Sequence, residues 1–136
     1  MEKFISLSAE KTAKIAKDIA KNCKKGDILL LYGDLGAGKT VFAKGFVSYF
    51  SKQNVVSPTF TILNTYNGKT NIYHYDLYRV NNLNELDEIG FFETIYSDGI
   101  SLIEWPERLG KEKIKNAIKI RINKLSDDER EIIVER

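Results

Sequence analysis

The octapeptide Gly33-Asp34-Leu35-Gly36-Ala37-Gly38-Lys39-Thr40 constrains this chain more than any other stretch. It fills the pattern Gly, any four, Gly, Lys, Ser or Thr without a mismatch, and it reads as a phosphate-binding loop. Its flanks agree. Ile28-Leu29-Leu30-Leu31-Tyr32 is a continuous apolar run of the buried-strand type, and Val41 to Phe50 has helical spacing, so strand, loop and helix follow in the required order. The three glycines remove Cβ atoms where backbone amides turn toward an oxygen anion, and the next helix points its free amides and positive dipole end at the same place. In such a loop Lys39 sits on the β and γ phosphates and the Thr40 hydroxyl on a magnesium ion.

The rest of the chain is consistent with one soluble α/β domain over residues 1–136. That length suffices for one sizeable core and not for two. Hydrophobic residues at 43% and charged residues at 29% are globular values, and no apolar run approaches the roughly 18 residues of a membrane span. Phe4-Ile5-Ser6-Leu7 is too short for the apolar centre of a signal peptide. The single cysteine, Cys23, cannot pair internally, so a reducing cytoplasm is the expected compartment. A net charge of +2 is too small to argue for nucleic acid by itself.

Read in order, the sequence alternates helix and strand signals. Phe4 to Ser6 is a short strand, and Ser8 caps a helix whose positions Thr12, Ile15, Ala16, Ile19, Ala20 and Cys23 keep a three-four rhythm until Gly26. Lys14, Lys17, Lys21 and Lys24 form a stripe opposite that face, either a solvated surface or one for RNA or a partner. Pro58 forbids helix around Ser57-Pro58-Thr59-Phe60. Phe60 to Tyr66 and Asn71 to Tyr78 then read as a hairpin across Asn67-Gly68-Lys69-Thr70. Leu83 to Ile89 and Phe91 to Tyr96 suggest two short helices, and Ile100 to Ile103 is a second buried-strand run. Pro106 opens a short helix closed by Gly110. Ile118, Ile120 and Ile122 at period two, a polar turn, and Ile132-Ile133-Val134 make a C-terminal hairpin.

A phosphate loop alone leaves the reaction open. Hydrolysis or phosphoryl transfer also needs a carboxylate for the metal or its water. Asp76 and Glu104 stand at the ends of expected strands, where ligands gather in doubly wound sheets; the competing reading for each is an exposed strand-end acid. Asn123-Lys124-Leu125-Ser126 begins like a guanine-reading motif but has Ser126 where the carboxylate belongs, so GTP selectivity is unsupported. The lone histidine, His74, has no histidine or cysteine beside it and reads as an ordinary sheet residue more readily than as a zinc ligand.

Taken together, Gly33 to Thr40, Ser57-Pro58-Thr59-Phe60, His74-Tyr75-Asp76-Leu77-Tyr78-Arg79 and Ile103-Glu104-Trp105 closely resemble the TsaE (YjeE) family of small bacterial ATPases, over almost the whole chain. The phosphate loop is common to a vast superfamily; the Ser-Pro-Thr-Phe and Asp-Leu-Tyr-Arg segments at this spacing are the specific part. The resemblance implies a P-loop NTPase-like three-layer sandwich, with a mainly parallel central sheet and added antiparallel strands. It implies an ATP-hydrolysing accessory of tRNA threonylcarbamoyladenosine modification, acting with the TsaB-TsaD pair and meeting tRNA through that complex. ATP and Mg2+ would be its cofactors. Carried over to this sequence, Gly33, Asp34, Leu35, Gly36, Ala37, Gly38, Lys39, Thr40 and Val41 would hold the nucleotide, with Lys39 on the phosphates. Thr40, Asp76 and Glu104 would serve the metal, Glu104 more directly. Thr59 lies where a first switch would sense the γ phosphate. Glu10, Lys11 and Arg130 resemble positions that touch the base or sugar, and Trp105 either seals the site or packs in the core.

Two other readings stay open. A small-molecule kinase uses the same loop, although its mobile lid is normally basic and the segment from Asn81 to Gly99 is acidic. A nucleotide-dependent binding module would need ATP only to select a conformation. As an ATPase the isolated chain is expected to be slow, because no arginine finger is evident in the sequence.

Overall fold

Residues 1–55, 62–110 and 114–136 are described by the computed structural model; Ser57-Pro58-Thr59-Phe60 lies outside them. Along the chain come β1 (Glu2–Ser6), α1 (Ala9–Ala20), β2 (Ile28–Tyr32), α2 (Lys39–Phe50), β3 (Leu63–Tyr66) and β4 (Ile72–Asp76). The short helices α3 (Asn84–Glu88) and α4 (Phe91–Ile95) follow, then β5 (Ile100–Glu104) and a 3-10 helix at Pro106–Leu109. The chain ends with β6 (Ile118–Lys124) and β7 (Arg130–Glu135).

The seven strands form one sheet in the order β1-β7-β6-β2-β5-β4-β3. Its centre, β6-β2-β5-β4, is parallel. The β3-β4 and β6-β7 hairpins and the pairing of β1 with β7 add antiparallel strands at both sides. Burial explains the strand sequences. β2 and β5 are covered on both faces and read as near-continuous apolar runs, whereas β6 buries Ile118, Ile120 and Ile122 and exposes the residues between them.

Period-two alternation divides the core between the two faces. Leu29, Leu31, Ile72, Ile100 and Leu102 pack with Ile15, Ala16, Phe42 and Phe46 of α1 and α2. Ile28, Leu30, Tyr75 and Ile103 face the other way, onto Leu86, Phe91, Ile95 and Leu109. By the same parity His74, Asp76 and Glu104 point toward the α1 and α2 side. Each fully buried Leu, Ile or Phe contributes about 1.5–3 kcal/mol relative to exposure, so the two layers hold the sheet from both sides.

Two of the boundaries that differ from the sequence expectation have clear local reasons. α1 stops at Ala20, before Cys23, because the amides of Asn22 and Cys23 turn back to the carbonyls of Ile19 and Ala20. Strand β4 ends at Asp76, before Tyr78, because the Asp76 carboxylate accepts the Tyr78 amide in a side-chain turn.

Candidate nucleotide and metal site

The loop between β2 and α2 is built for an anion. Gly36 (φ 79°) and Gly38 (φ 108°) adopt left-handed backbone that other residues rarely take, and a Cβ on Gly36 would stand in open space at the mouth of the loop. Gly33 has a different reason: a Cβ there would lie 2.9 Å from the Ile122 carbonyl. α2 begins at Lys39 with no side-chain cap at Gly38, which leaves its first-turn amides without a helical acceptor. No acidic residue occupies that turn. The donor set and the helix dipole therefore fit a phosphate.

Asp76 and Glu104 are direct partners in the parallel pairing of β4 with β5, and Glu104 also lies opposite Leu31 on β2. Register thus sets Glu104 beside the strand that feeds the loop and Asp76 one strand further out, both at the carboxyl ends of the parallel strands. Glu104 is buried, and its Oε2 lies 2.6 Å from His74 Nε2, itself fully buried. His74 is indeed a sheet residue, but its tie to Glu104 was invisible from local sequence, since the two stand thirty residues apart. Burial raises the Asp76 carboxyl above the usual aspartate value; the Tyr78 amide opposes the shift and Glu104 adds to it.

Lys39 supplies the opposite charge from the first turn of α2. Its Nζ donates to the Gly33 carbonyl at 2.7 Å and stands 3.8 Å from the centre of the Trp105 ring. Burial pulls the ammonium below the ordinary lysine value, against the attraction of Glu104, Asp76, Glu107 and Asp34 in that order. Trp105 is brought there by a left-handed backbone turn (φ 57°) just before Pro106 opens the 3-10 helix, a conformation costly for a bulky residue. Its ring also packs on Tyr78, at a centroid distance of 4.9 Å. Trp105 is therefore part of the site and packed at the same time.

Arg130 reaches the loop from the start of β7. Its Nε donates to the Ala37 carbonyl at 2.8 Å and Nη2 to Gly36 at 3.4 Å, while Nη1 serves the carbonyls of Ser126, Asp127 and Glu129. Next to it a cavity of about 90 Å³ opens between the start of α1, the loop and the β6-β7 turn. It is lined by Ala9, Thr12, Gly38, Val41, Asp127, Asp128 and Arg130. Glu10 and Lys11 share that turn of α1 but are exposed and do not line the cavity. Thr12, on the apolar face of α1, both lines the cavity and pairs with the Ser6 hydroxyl at 2.7 Å, a role its place in the helical rhythm does not signal. Thr40 and Val41 follow Lys39 in the first turn of α2, and Asp34 and Leu35 are exposed on the loop. Thr59 lies outside the described residues.

The donor set fits magnesium better than a softer metal. Two carboxylates, the Thr40 hydroxyl and nucleotide phosphates suit an ion that keeps several waters and takes few protein ligands. Among the described residues no group of three or more histidine, cysteine, aspartate or glutamate side chains could form a self-sufficient metal cage.

The sheet order, the loop between β2 and α2 and the strand-end carboxylates define a P-loop fold, and comparison with known proteins agrees. A crystal structure of YdiB from Bacillus subtilis superposes with a TM-score of 0.79 at 39% sequence identity, covering 96% of this chain and 82% of that one. The family model for the threonylcarbamoyl adenosine biosynthesis protein TsaE matches residues 6–132. Among curated relatives, the tRNA threonylcarbamoyladenosine biosynthesis protein TsaE of Treponema pallidum is 37% identical, over 96% of this chain and 97% of its own. The protein of the same name from Bacillus subtilis is 41% identical, over 96% of this chain and 82% of its own. The chain belongs to the TsaE family, whose members are named for the biosynthesis of threonylcarbamoyladenosine in tRNA. Among the described residues no helix is long and apolar enough to cross a membrane.

Proposed function

We propose that this chain is the ATP-binding and ATP-hydrolysing component of a cytoplasmic tRNA threonylcarbamoyladenosine machinery. It acts with partners of the TsaB and TsaD type and meets tRNA through their complex. The observation that carries this reading is the convergence of Lys39, Asp76 and Glu104 at one end of the sheet, which supplies phosphate-binding and metal-binding groups together. Lys39 leaves the Gly33 carbonyl and Trp105 for the β and γ phosphates, while the first-turn amides of α2 and the glycine-rich loop hold the remaining phosphate oxygens. Thr40, Asp76 and Glu104 hold a magnesium ion or its waters. When bound, that ion neutralises charge on the β and γ oxygens. Arg130 keeps the loop in shape through its carbonyls, and the cavity beside it takes the base or sugar end of the nucleotide.

Reconstitution with TsaB, TsaD and substrate tRNA tests this reading. Repeated rounds of threonylcarbamoyladenosine formation should require ATP and stop with Lys39→Ala. Equal support by ATP and a non-hydrolysable analogue over many rounds would instead make the chain a nucleotide-dependent binding module.

A further inference from the structure

We propose that His74 is a positioning residue that keeps Glu104 away from Lys39, so that a buried carboxylate and a buried ammonium share one site without forming an ion pair. The inference rests on the nucleotide and metal reading above and assigns a task that reading leaves open. Glu104 and Lys39 are both buried, and Glu104 exerts the strongest carboxylate attraction on that ammonium. Two such groups in a poorly solvated pocket should close on each other, because the interaction strengthens as the local dielectric falls. They do not: among the described residues no ion pair joins Lys39 to Glu104 or to Asp76. Each has another partner instead. Lys39 donates to Gly33 and lies over Trp105, and Glu104 Oε2 is held at 2.6 Å by His74.

The imidazole suits that task. An ionised Glu104 only accepts, so the proton of this bond belongs to Nε2, and a neutral ring then leaves Nδ1 as a bare acceptor. Among the described residues Nδ1 has no hydrogen-bond partner, although it is fully buried. A buried ring nitrogen left unsatisfied costs free energy and packs no better than a leucine would, so the ring has a cost that its contact with Glu104 must offset. His74 is two residues before Asp76 on the same strand face, and its main chain is fixed inside the β3-β4-β5 ladder, opposite Asn64 and Leu102. The donor therefore stands on a rigid element. With Oε2 engaged, Oε1 is the oxygen left for a metal or its water.

The test is calorimetric titration of a non-hydrolysable ATP analogue in EDTA and across a series of magnesium concentrations, with circular dichroism to confirm folding. Variants are His74→Leu, His74→Asn, His74→Gln, Glu104→Ala and the double variant His74→Leu with Glu104→Ala. Glutamine places an amide nitrogen as many bonds from Cβ as Nε2 and should bind like wild type; asparagine is one bond short. With Asn or Leu the magnesium concentration needed for half of the metal-dependent gain should rise on the order of 10–100-fold. Affinity in EDTA should fall as well, because Glu104 then closes on Lys39; EDTA affinity unchanged in a folded leucine or asparagine variant would overturn the separation of the two charges. In the Glu104→Ala background the leucine change should do nothing further. If the leucine variant does not fold, the glutamine and asparagine pair decides. Wild-type behaviour of His74→Asn, or additive losses in the double variant, would overturn the role of His74. Absence of magnesium-dependent binding in the wild type would overturn the site reading itself, before any variant is considered.

Discussion

At Asp76 the sheet imposes a cost that can be measured. Its carboxyl is raised by burial and by Glu104, so in the metal-free protein the folded state binds the proton more tightly than the unfolded chain. Stability from this group is thus fully present below the ordinary aspartate value of 3.8 and is lost as pH rises through the higher folded value. Asp76→Asn can keep the oxygen that accepts the Tyr78 amide while removing the charge. In EDTA the variant should be more stable than wild type at pH 7, by thermal unfolding, and the gap should close as pH falls toward 3.8; a gap unchanged across that range would contradict the assignment. In the presence of nucleotide and magnesium the same substitution should weaken binding. A site that gains stability when it loses a functional group is the expected mark of charges collected for a ligand.

At the scale of elements, the contact between α1 and α2 holds the phosphate loop against the sheet. Phe42, Phe46 and Phe50 face the core at every fourth position, with Phe46 and Phe50 ring centroids 5.6 Å apart. Gly45, on the flank of α2 that meets α1, lets the two backbones approach: a Cβ there would collide with the Ala13 carbonyl. Gly45→Ala should therefore cost about 1–3 kcal/mol in urea unfolding even though alanine is the better helix former. A neutral or stabilising result would mean that the helices can part without loss. Most elements were legible because their signals are local: the Ser8 cap with its bond to the Lys11 amide, the apolar runs of β2 and β5, and the alternation of β6. The site was legible only in part. Gly33 to Thr40 announces itself in eight consecutive residues, whereas the bond from Arg130 to Ala37 spans 93 positions and depends on where β7 falls in the sheet. His74 with Glu104 and Lys39 with Trp105 are of the same kind. Glu10 and Lys11 stand in the turn of α1 that borders the cavity, but helical geometry turns Ala9 and Thr12 toward it.

For the whole molecule, the sheet order explains why residues at positions 39, 76, 104 and 130 gather around the loop between β2 and α2. Placing β2 between β5 and β6 sets the loop strand between Glu104 on one side and the C-terminal hairpin on the other. The antiparallel side β6-β7-β1 is thus more than an edge cover, because it delivers the guanidinium that fastens the loop carbonyls. Arg130→Ala should weaken nucleotide binding about 10–100-fold, in line with about 1.5–3 kcal/mol for hydrogen bonds to a charged group, and should speed amide exchange in the loop. Unchanged affinity would show that the loop holds its shape alone.

Lys39 and Glu104 are proposed to act together as one magnesium-dependent ATP-hydrolysing site. Phosphate release from ATP by the purified chain tests it most directly, with wild type, Lys39→Ala and Glu104→Ala compared at saturating magnesium. Slow release by the wild type and a loss of about 100-fold or more in each variant are expected, the scale seen when a group stabilising transferred charge is removed. Release undiminished in both variants would contradict it.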